Sequence, residues 1–237
     1  MRAPLPILLA ALVVAAPADA ASVDVMVVGK ERMLRAPKEV RLKARTVKVG
    51  ARRCRVGART PLAVLAAARL RLGIRDYARC GRDPDAAGGL YVAKVGRERE
   101  KGNGGWVYKV GRRAGTAAAA DPAGSFGTGR RLRHGQRVTW FWCEQQASGT
   151  CQRTLEARPA RRTARVGEAL RVTVRGYDDY GRGIATAGAA VRLGSATATT
   201  DAQGVAVLTV GSQTGRLRLT ASRAGFVRAF PLLVTVR

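Results

Sequence analysis

Val138-Thr139-Trp140-Phe141-Trp142-Cys143 is the stretch on which the reading of this chain turns. Side chains along an extended strand point alternately to its two faces, so Val138, Trp140 and Trp142 line one side and Phe141 with Cys143 the other. A strand apolar on both sides belongs in the middle of a sheet, and the chain must supply neighbours for it. Upstream, Trp106-Val107-Tyr108-Lys109-Val110-Gly111 places Trp106, Tyr108 and Val110 on one face and Lys109 on the other, and Leu90 to Val95 reads as a further strand. Val23, Val25 and Val27 share one face of a first strand. Val40, Leu42 and Ala44, then Val47 and Val49 after a one-residue slip, keep a period of two through a basic second strand; both read as half-buried.

One helix interrupts the strands. Thr60 is an N-cap with Pro61 at the first helical position, and Leu62, Leu65, Ala68 and Leu72 follow at helical spacing with Arg69 and Arg71 off that face, the helix ending at Gly73. Gly81-Arg82-Asp83-Pro84 and Gly88-Gly89 are turn material, Gly102-Asn103-Gly104-Gly105 a flexible loop, and Ala114 to Gly129 a longer loop. The order to Val95 is ββαβ.

Gly105-Trp106-Val107-Tyr108-Lys109-Val110-Gly111 and Leu132-Arg133-His134-Gly135-Gln136-Arg137-Val138-Thr139-Trp140 resemble the G-W-x-Y-x-V-N-G and L-x-x-G-D-x-V-x-W segments of the small exported domains similar to the C-terminal β-grasp domain of transcobalamin and intrinsic factor. The resemblance covers roughly Ser22 to Cys143. Gly111-Arg112 replaces the family's Asn-Gly turn and Gln136 its Asp. It implies a β-grasp fold, α+β with one short helix on a mixed sheet, and a binding role. In that family the domain caps a corrinoid held by a separate helical domain; none is legible here, so cobalamin transport does not carry over.

From Arg153 onward the chain turns to short strands with turns between them. Ala169 to Val174 alternates, Tyr177-Asp178-Asp179-Tyr180-Gly181 turns, Val191-Arg192-Leu193 extends, and Leu217 to Ser222 and Phe230 to Val236 complete the set. Such spacing suggests a β-sandwich. Thr200-Asp201-Ala202-Gln203-Gly204-Val205-Ala206 resembles the T-D-x-x-G-x-A turn of bacterial Ig-like domains of the invasin and carboxypeptidase-regulatory type, which implies a spacer or adhesive module. The expected division is residues 1–20 signal peptide, 21–152 β-grasp domain and 153–237 Ig-like domain, mainly β throughout.

The signal peptide is read from Arg2, the apolar run Leu5 to Ala16 and the A-x-A pattern at Ala18-Asp19-Ala20. It predicts a secreted or extracellular protein, free or associated with the cell envelope. Four cysteines behind such a segment favour two disulfides over metal ligation. Three pairings exist in principle; Cys54–Cys80 and Cys143–Cys151 are favoured, the second because it closes a turn-like loop from Glu144 to Thr150.

Lys and Arg number 43 against 16 Asp and Glu, a formal charge of +27. Such a field attracts polyanions. Arg-rich, Ala-rich composition also follows from GC-rich coding, but that does not account for the scarcity of acids. Export disfavours intracellular nucleic acid as partner and leaves anionic envelope polymers or lipid headgroups, beside a small ligand or glycan.

Catalysis finds no frame. The single histidine, His134, precedes a turn glycine, and no nucleophile motif accompanies it. Glu98 and Glu100 sit in an Arg-rich run where a solvated edge with ion pairs accounts for them. Asp178, Asp179 and Asp201 lie in turns that use Asp for its own backbone bonds, so no metal and no cofactor is expected. Trp106, Tyr108, Trp140 and Trp142 offer flat apolar faces, but a small sheet also needs them as core. Tyr91, Asn103, Trp106 and Tyr108 are the candidate ligand-binding residues. The expectation is a non-catalytic binding module, with a structural or adhesive envelope protein held by charge as the alternative.

Overall fold

The computed structural model describes residues 21–237, so the signal peptide expected over residues 1–20 lies outside the described residues. The protein is mainly β. In chain order the elements of the first half are β1 (Ser22–Val28), β2 (Met33–Arg41), β3 (Arg45–Val49), β4 (Arg52–Val56), α1 (Pro61–Ala67), β5 (Leu72–Asp76), a 3-10 turn (Pro84–Gly89), β6 (Leu90–Val95), β7 (Glu98–Arg99), β8 (Gly104–Val110), β9 (Arg113–Ala114) and β10 (Arg137–Glu144).

The two-faced apolar strand is central, as its pattern required. β10 lies between β1, which it meets in parallel, and β8, which it meets antiparallel, in a sheet ordered β2-β1-β10-β8-β9. The register sets Trp140 opposite Tyr108 and Trp142 opposite Trp106, so the aromatic residues form a cross-strand ladder. One face of this sheet closes over α1: Val23, Val25, Val27, Leu62, Leu65, Trp106, Tyr108 and Trp140 belong to one core. Two smaller sheets, β3-β4 and β5-β6-β7, complete that core.

Four expectations need correction. β1 is buried on both faces rather than half-buried, because Met26 and Val28 pack with Phe141, Cys143 and Val227 behind the sheet. The supposed second strand is two strands in different sheets. β2 pairs with β1 and β3 with β4, and the slip near Ala44 marks the break between them. Lys48 therefore faces Arg53, and Thr46 faces Arg55, so the exposed basic face belongs to the β3–β4 hairpin rather than to one long strand carrying Arg41, Lys43 and Arg45. The helix is also shorter than its spacing predicted. Thr60 caps it by accepting the Ala63 N–H and Pro61 opens it, but Ala68 is already the C-cap and Arg69 turns left-handed at φ 56. Leu72 and Gly73 belong to β5, since Leu72 packs against the same core from a strand as readily as from a helix. Gly104 and Gly105, expected in a loop, open β8.

The second half runs β11 (Thr154–Pro159), β12 (Thr163–Ala164), β13 (Ala169–Tyr177), β14 (Gly183–Ala185), β15 (Ala190–Leu193), β16 (Ala196–Thr199), β17 (Val205–Thr209), β18 (Gly215–Ser222) and β19 (Leu232–Val236). One sheet joins β11, β13, β14 and β17, and the other is ordered β12-β19-β18-β15-β16. Their facing residues, among them Leu170, Val172, Leu208, Val191, Leu219 and Val234, form a second core. The alternation of β13, in which Leu170, Val172 and Val174 are buried and Arg171 and Arg175 exposed, is the pattern of a strand with one wet face.

Both favoured disulfides are present: Cys54–Cys80 with Cα atoms 5.5 Å apart and Cys143–Cys151 at 5.2 Å, with no free cysteine. The Cys143–Cys151 loop is the tight turn expected, Gln146 N–H donating to the Thr150 carbonyl. The first disulfide links β4 to the segment after β5, where Asp76 accepts from the Ala78 and Cys80 N–H groups. Among the described residues, Cys54, Asp76 and Cys80 are the one set close enough to suggest a metal, and the covalent pairing of both sulfurs removes the thiolates that would bind it.

Candidate functional site

Trp106 and Tyr108 come to one face of β8 because they alternate with Val107 and Lys109, and Tyr91 comes beside them from β6. Together with Tyr77, Trp140 and the Gly115 to Ala119 segment they line a cleft of about 370 Å³. Tyr77 is 71% exposed and Tyr91 38%, whereas Trp106 and Tyr108 are buried. The cleft thus has a buried aromatic floor and two tyrosines at its rim, their ring centroids 6.5 Å apart.

The floor's polar atoms are already spent. Tyr108 donates its hydroxyl to the Ala117 carbonyl at 2.8 Å, Trp106 Nε1 to Glu98 at 3.1 Å, and Trp140 Nε1 to Pro61 at 3.2 Å. Tyr108 and Trp140 pack at a tilt of 43° with centroids 5.3 Å apart, and Trp106 meets Trp142 edge-on at 5.8 Å. Gly115 lets the chain pass against the Tyr108 ring, for a Cβ there would lie 2.1 Å from it. Only apolar surface is left on the floor, so hydrogen bonds to a ligand must come from the rim.

At the rim, Arg75 meets Glu100 at 2.7 Å. Partial burial and then the hydrogen bond to Glu100 push the Tyr91 phenol up to about 12. Tyr77 nearby, and then Glu100, hold the Arg75 guanidinium above its ordinary value. The Arg75–Glu100 ion pair, with Arg75 opposite Tyr91 in the β5–β6 register, thus lies beside the two rim tyrosines above an apolar floor. Of the sequence candidates, Tyr91, Trp106 and Tyr108 converge on this cleft. Asn103 does not line it; its carbonyl instead accepts the Gln145 N–H. Sequence reasoning missed Tyr77 and Arg75, which follow no alternation that marks a site, and treated Glu100 only as part of a solvated edge.

The residues weighed for chemistry have other tasks. His134 is exposed and accepts the Ser22 N–H at 3.2 Å, holding the start of β1. Glu98 accepts the Lys30 N–H. Asp178 accepts the Tyr180 and Arg182 N–H groups; desolvation works to raise its carboxyl, but those bonds and Arg153 and Arg182 hold it below the usual range. Asp201 accepts from Gln203 and Val205 within its own turn. Asp179 turns inward to Lys109.

Lys109 is the feature the sequence least advertises. It points away from the aromatic face, as alternation predicts, yet its side chain is fully buried where the two halves meet. Its ammonium donates to the Tyr177 and Asp178 carbonyls at 3.0 Å each, lies 3.4 Å from the Thr154 hydroxyl and 3.3 Å from Asp179. Burial pushes it below its ordinary value, and Asp179 pulls it back up. Beside it Arg112 grips Glu156 with two bonds of 2.6 and 2.9 Å and covers the Tyr177 ring at 4.5 Å.

No family model matches the chain, and no curated protein matches it. Among solved structures, the Escherichia coli adhesin FdeC is similar at 23% identity, over 46% of this chain and 37% of the adhesin chain, with a TM-score of 0.31. That likeness is slight, and nothing about function follows from it.

Proposed function

We propose that this chain is an exported, non-catalytic binding module, secreted or associated with the cell envelope, in which a β-grasp domain over residues 21–152 presents the aromatic cleft and an Ig-like sandwich over residues 153–237 serves as spacer. The single observation that carries the reading is the cleft with satisfied aromatic floor and polar tyrosine rim. Such a surface suits a ligand with one flat apolar face and hydroxyls at its edge, which describes a pyranose ring. A glycan is therefore the ligand class favoured over a peptide or another small molecule. Two disulfides fit an oxidising compartment.

The test is a titration of the full chain with cello- and chito-oligosaccharides, followed by tryptophan fluorescence. Saturable quenching is expected, and Tyr91→Ala is expected to weaken it about tenfold or more, the scale of an aromatic hot spot, without lowering the melting temperature by more than a few degrees. Quenching that is unchanged in Tyr91→Ala, or absent with every sugar, defeats the glycan reading.

A second reading, an envelope protein held by charge, draws support from the β3–β4 hairpin, where Lys48, Arg53 and Arg55 face solvent together. It predicts retention on vesicles rich in anionic lipid that is strong at low salt and largely lost near 1 M, where the Debye length is about 3 Å. Retention that persists at 1 M overturns it.

A further inference from the structure

A second hollow, of about 410 Å³, is lined by Ser125, Phe126, Arg130, Arg131, Arg133 and Gln136 and includes no acidic residue. Ser125 is 1% exposed, and its hydroxyl has no hydrogen-bond partner among the described residues. A buried hydroxyl without a partner costs stability unless something fills the place. The neighbouring groups are cationic and largely uncommitted. Arg131 uses its Nε on the Pro122 carbonyl at 3.0 Å, but the Arg130 and Arg133 guanidinium groups make no hydrogen bond or ion pair among the described residues, and Arg113 covers the Phe126 ring at 5.5 Å.

The hollow is built by its backbone. The turn from Asp121 to Gly127 closes on itself through Gly124 and Gly127 N–H bonds, and the Ser125 carbonyl accepts the Thr116 N–H, with the Tyr108 hydroxyl oxygen 3.1 Å away. Gly124, at φ 92, lets the arginine segment come close, since a Cβ there would lie 2.4 Å from the Arg130 carbonyl. Leu132, with its N–H on the Arg59 carbonyl, anchors the segment and leaves the arginines on either side of it at the surface.

We propose that this hollow binds a tetrahedral oxyanion, the phosphate or sulfate group of a linear anionic polymer, with Ser125 donating from the floor and Arg130 and Arg133 closing on the charge from above. A guanidinium matches the paired oxygens of such a group, and a hydroxyl donor gives the site a fixed point that a diffuse basic surface lacks. The site is separate from the aromatic cleft and stands or falls without it.

The experiment is calorimetric titration of the full chain at about 150 mM salt with inorganic phosphate, inorganic sulfate, a short polyphosphate and a heparin-derived tetrasaccharide. One of the two polymers is expected to bind more tightly than its free ion, which assigns the group. Ser125→Ala should weaken that binding about tenfold, the loss of one hydrogen bond to a charged partner, and should melt no lower than the parent because the hydroxyl has no partner to lose. Arg130→Gln with Arg133→Gln, both exposed, should weaken it further, whereas Arg216→Gln with Arg218→Gln, on the far half, should change it less than about twofold, and Tyr91→Ala not at all. Equal losses from both arginine pairs would mean a diffuse field, and full affinity in Ser125→Ala would mean the hydroxyl serves no ligand; either result, or no binding by either polymer, overturns the proposal.

Discussion

Trp140→Ala is expected to destabilise the first half by about 3–5 kcal/mol, the usual cost of truncating a buried tryptophan. Trp140 is 1% exposed at the centre of the sheet, packs at a tilt against Tyr108, and donates to the carbonyl of Pro61, the first residue of α1. The change opens a void between sheet and helix and leaves that carbonyl without its donor. For a chain of this size the melting temperature should fall by about 10 °C. Thermal melts read by circular dichroism check it, with Tyr91→Ala as the comparison expected to stay near the parent. If Trp140→Ala melts like the parent and only sugar binding is lost, Trp140 belongs to the site and not to the core.

Lys109→Met should be of similar severity and different in kind. Removing one member of a buried ion pair leaves its partners uncompensated, at a cost of about 3–5 kcal/mol. Here the stranded groups are the Asp179 carboxylate and the carbonyls of Tyr177 and Asp178, all in the second half, while Lys109 itself is on β8 in the first. The loss therefore falls on the junction rather than on either core. Scanning calorimetry should show one transition in the parent and two in the variant. A single unshifted transition in Lys109→Met would mean that the apolar contacts of Met26, Val28, Phe141 and Val227 hold the halves together without it.

Where a residue's neighbours in sequence determine its environment, the fold was legible. β10 announced its central place because both its faces are apolar, and the helix start was written in Thr60-Pro61. The helix end was not, because Leu72 satisfies a helical period and a strand burial equally well. The break between β2 and β3 left only a one-residue slip, since Val40 and Val47 are buried in different sheets, each within its own alternating run. Within the cleft, Tyr91, Trp106 and Tyr108 were found by residue type. Arg75 and Tyr77 were not, since their role comes from β5 lying beside β6, a pairing that no local pattern specifies. Lys109 shows the limit most sharply: a lysine opposite an aromatic face reads as solvated until a second half of the chain covers it.

The parallel pairing of β1 with β10 also has a bearing on how the chain is made. Asp24 finds its partner at Arg137, and Val28 at Phe141. Chain order brings out β1 first, and β10 can pair with it only after residues 29–136 have followed, on the order of ten seconds at the rate of synthesis. In that interval β1 has β2 along one edge and an open edge on the other, with valines and a methionine on both faces. An open apolar edge is a template for pairing with other nascent chains. Crowding of chains whose β1 edge is still open is then expected to lower the folded yield, and agents that shield β1 until β10 has paired with it should raise it.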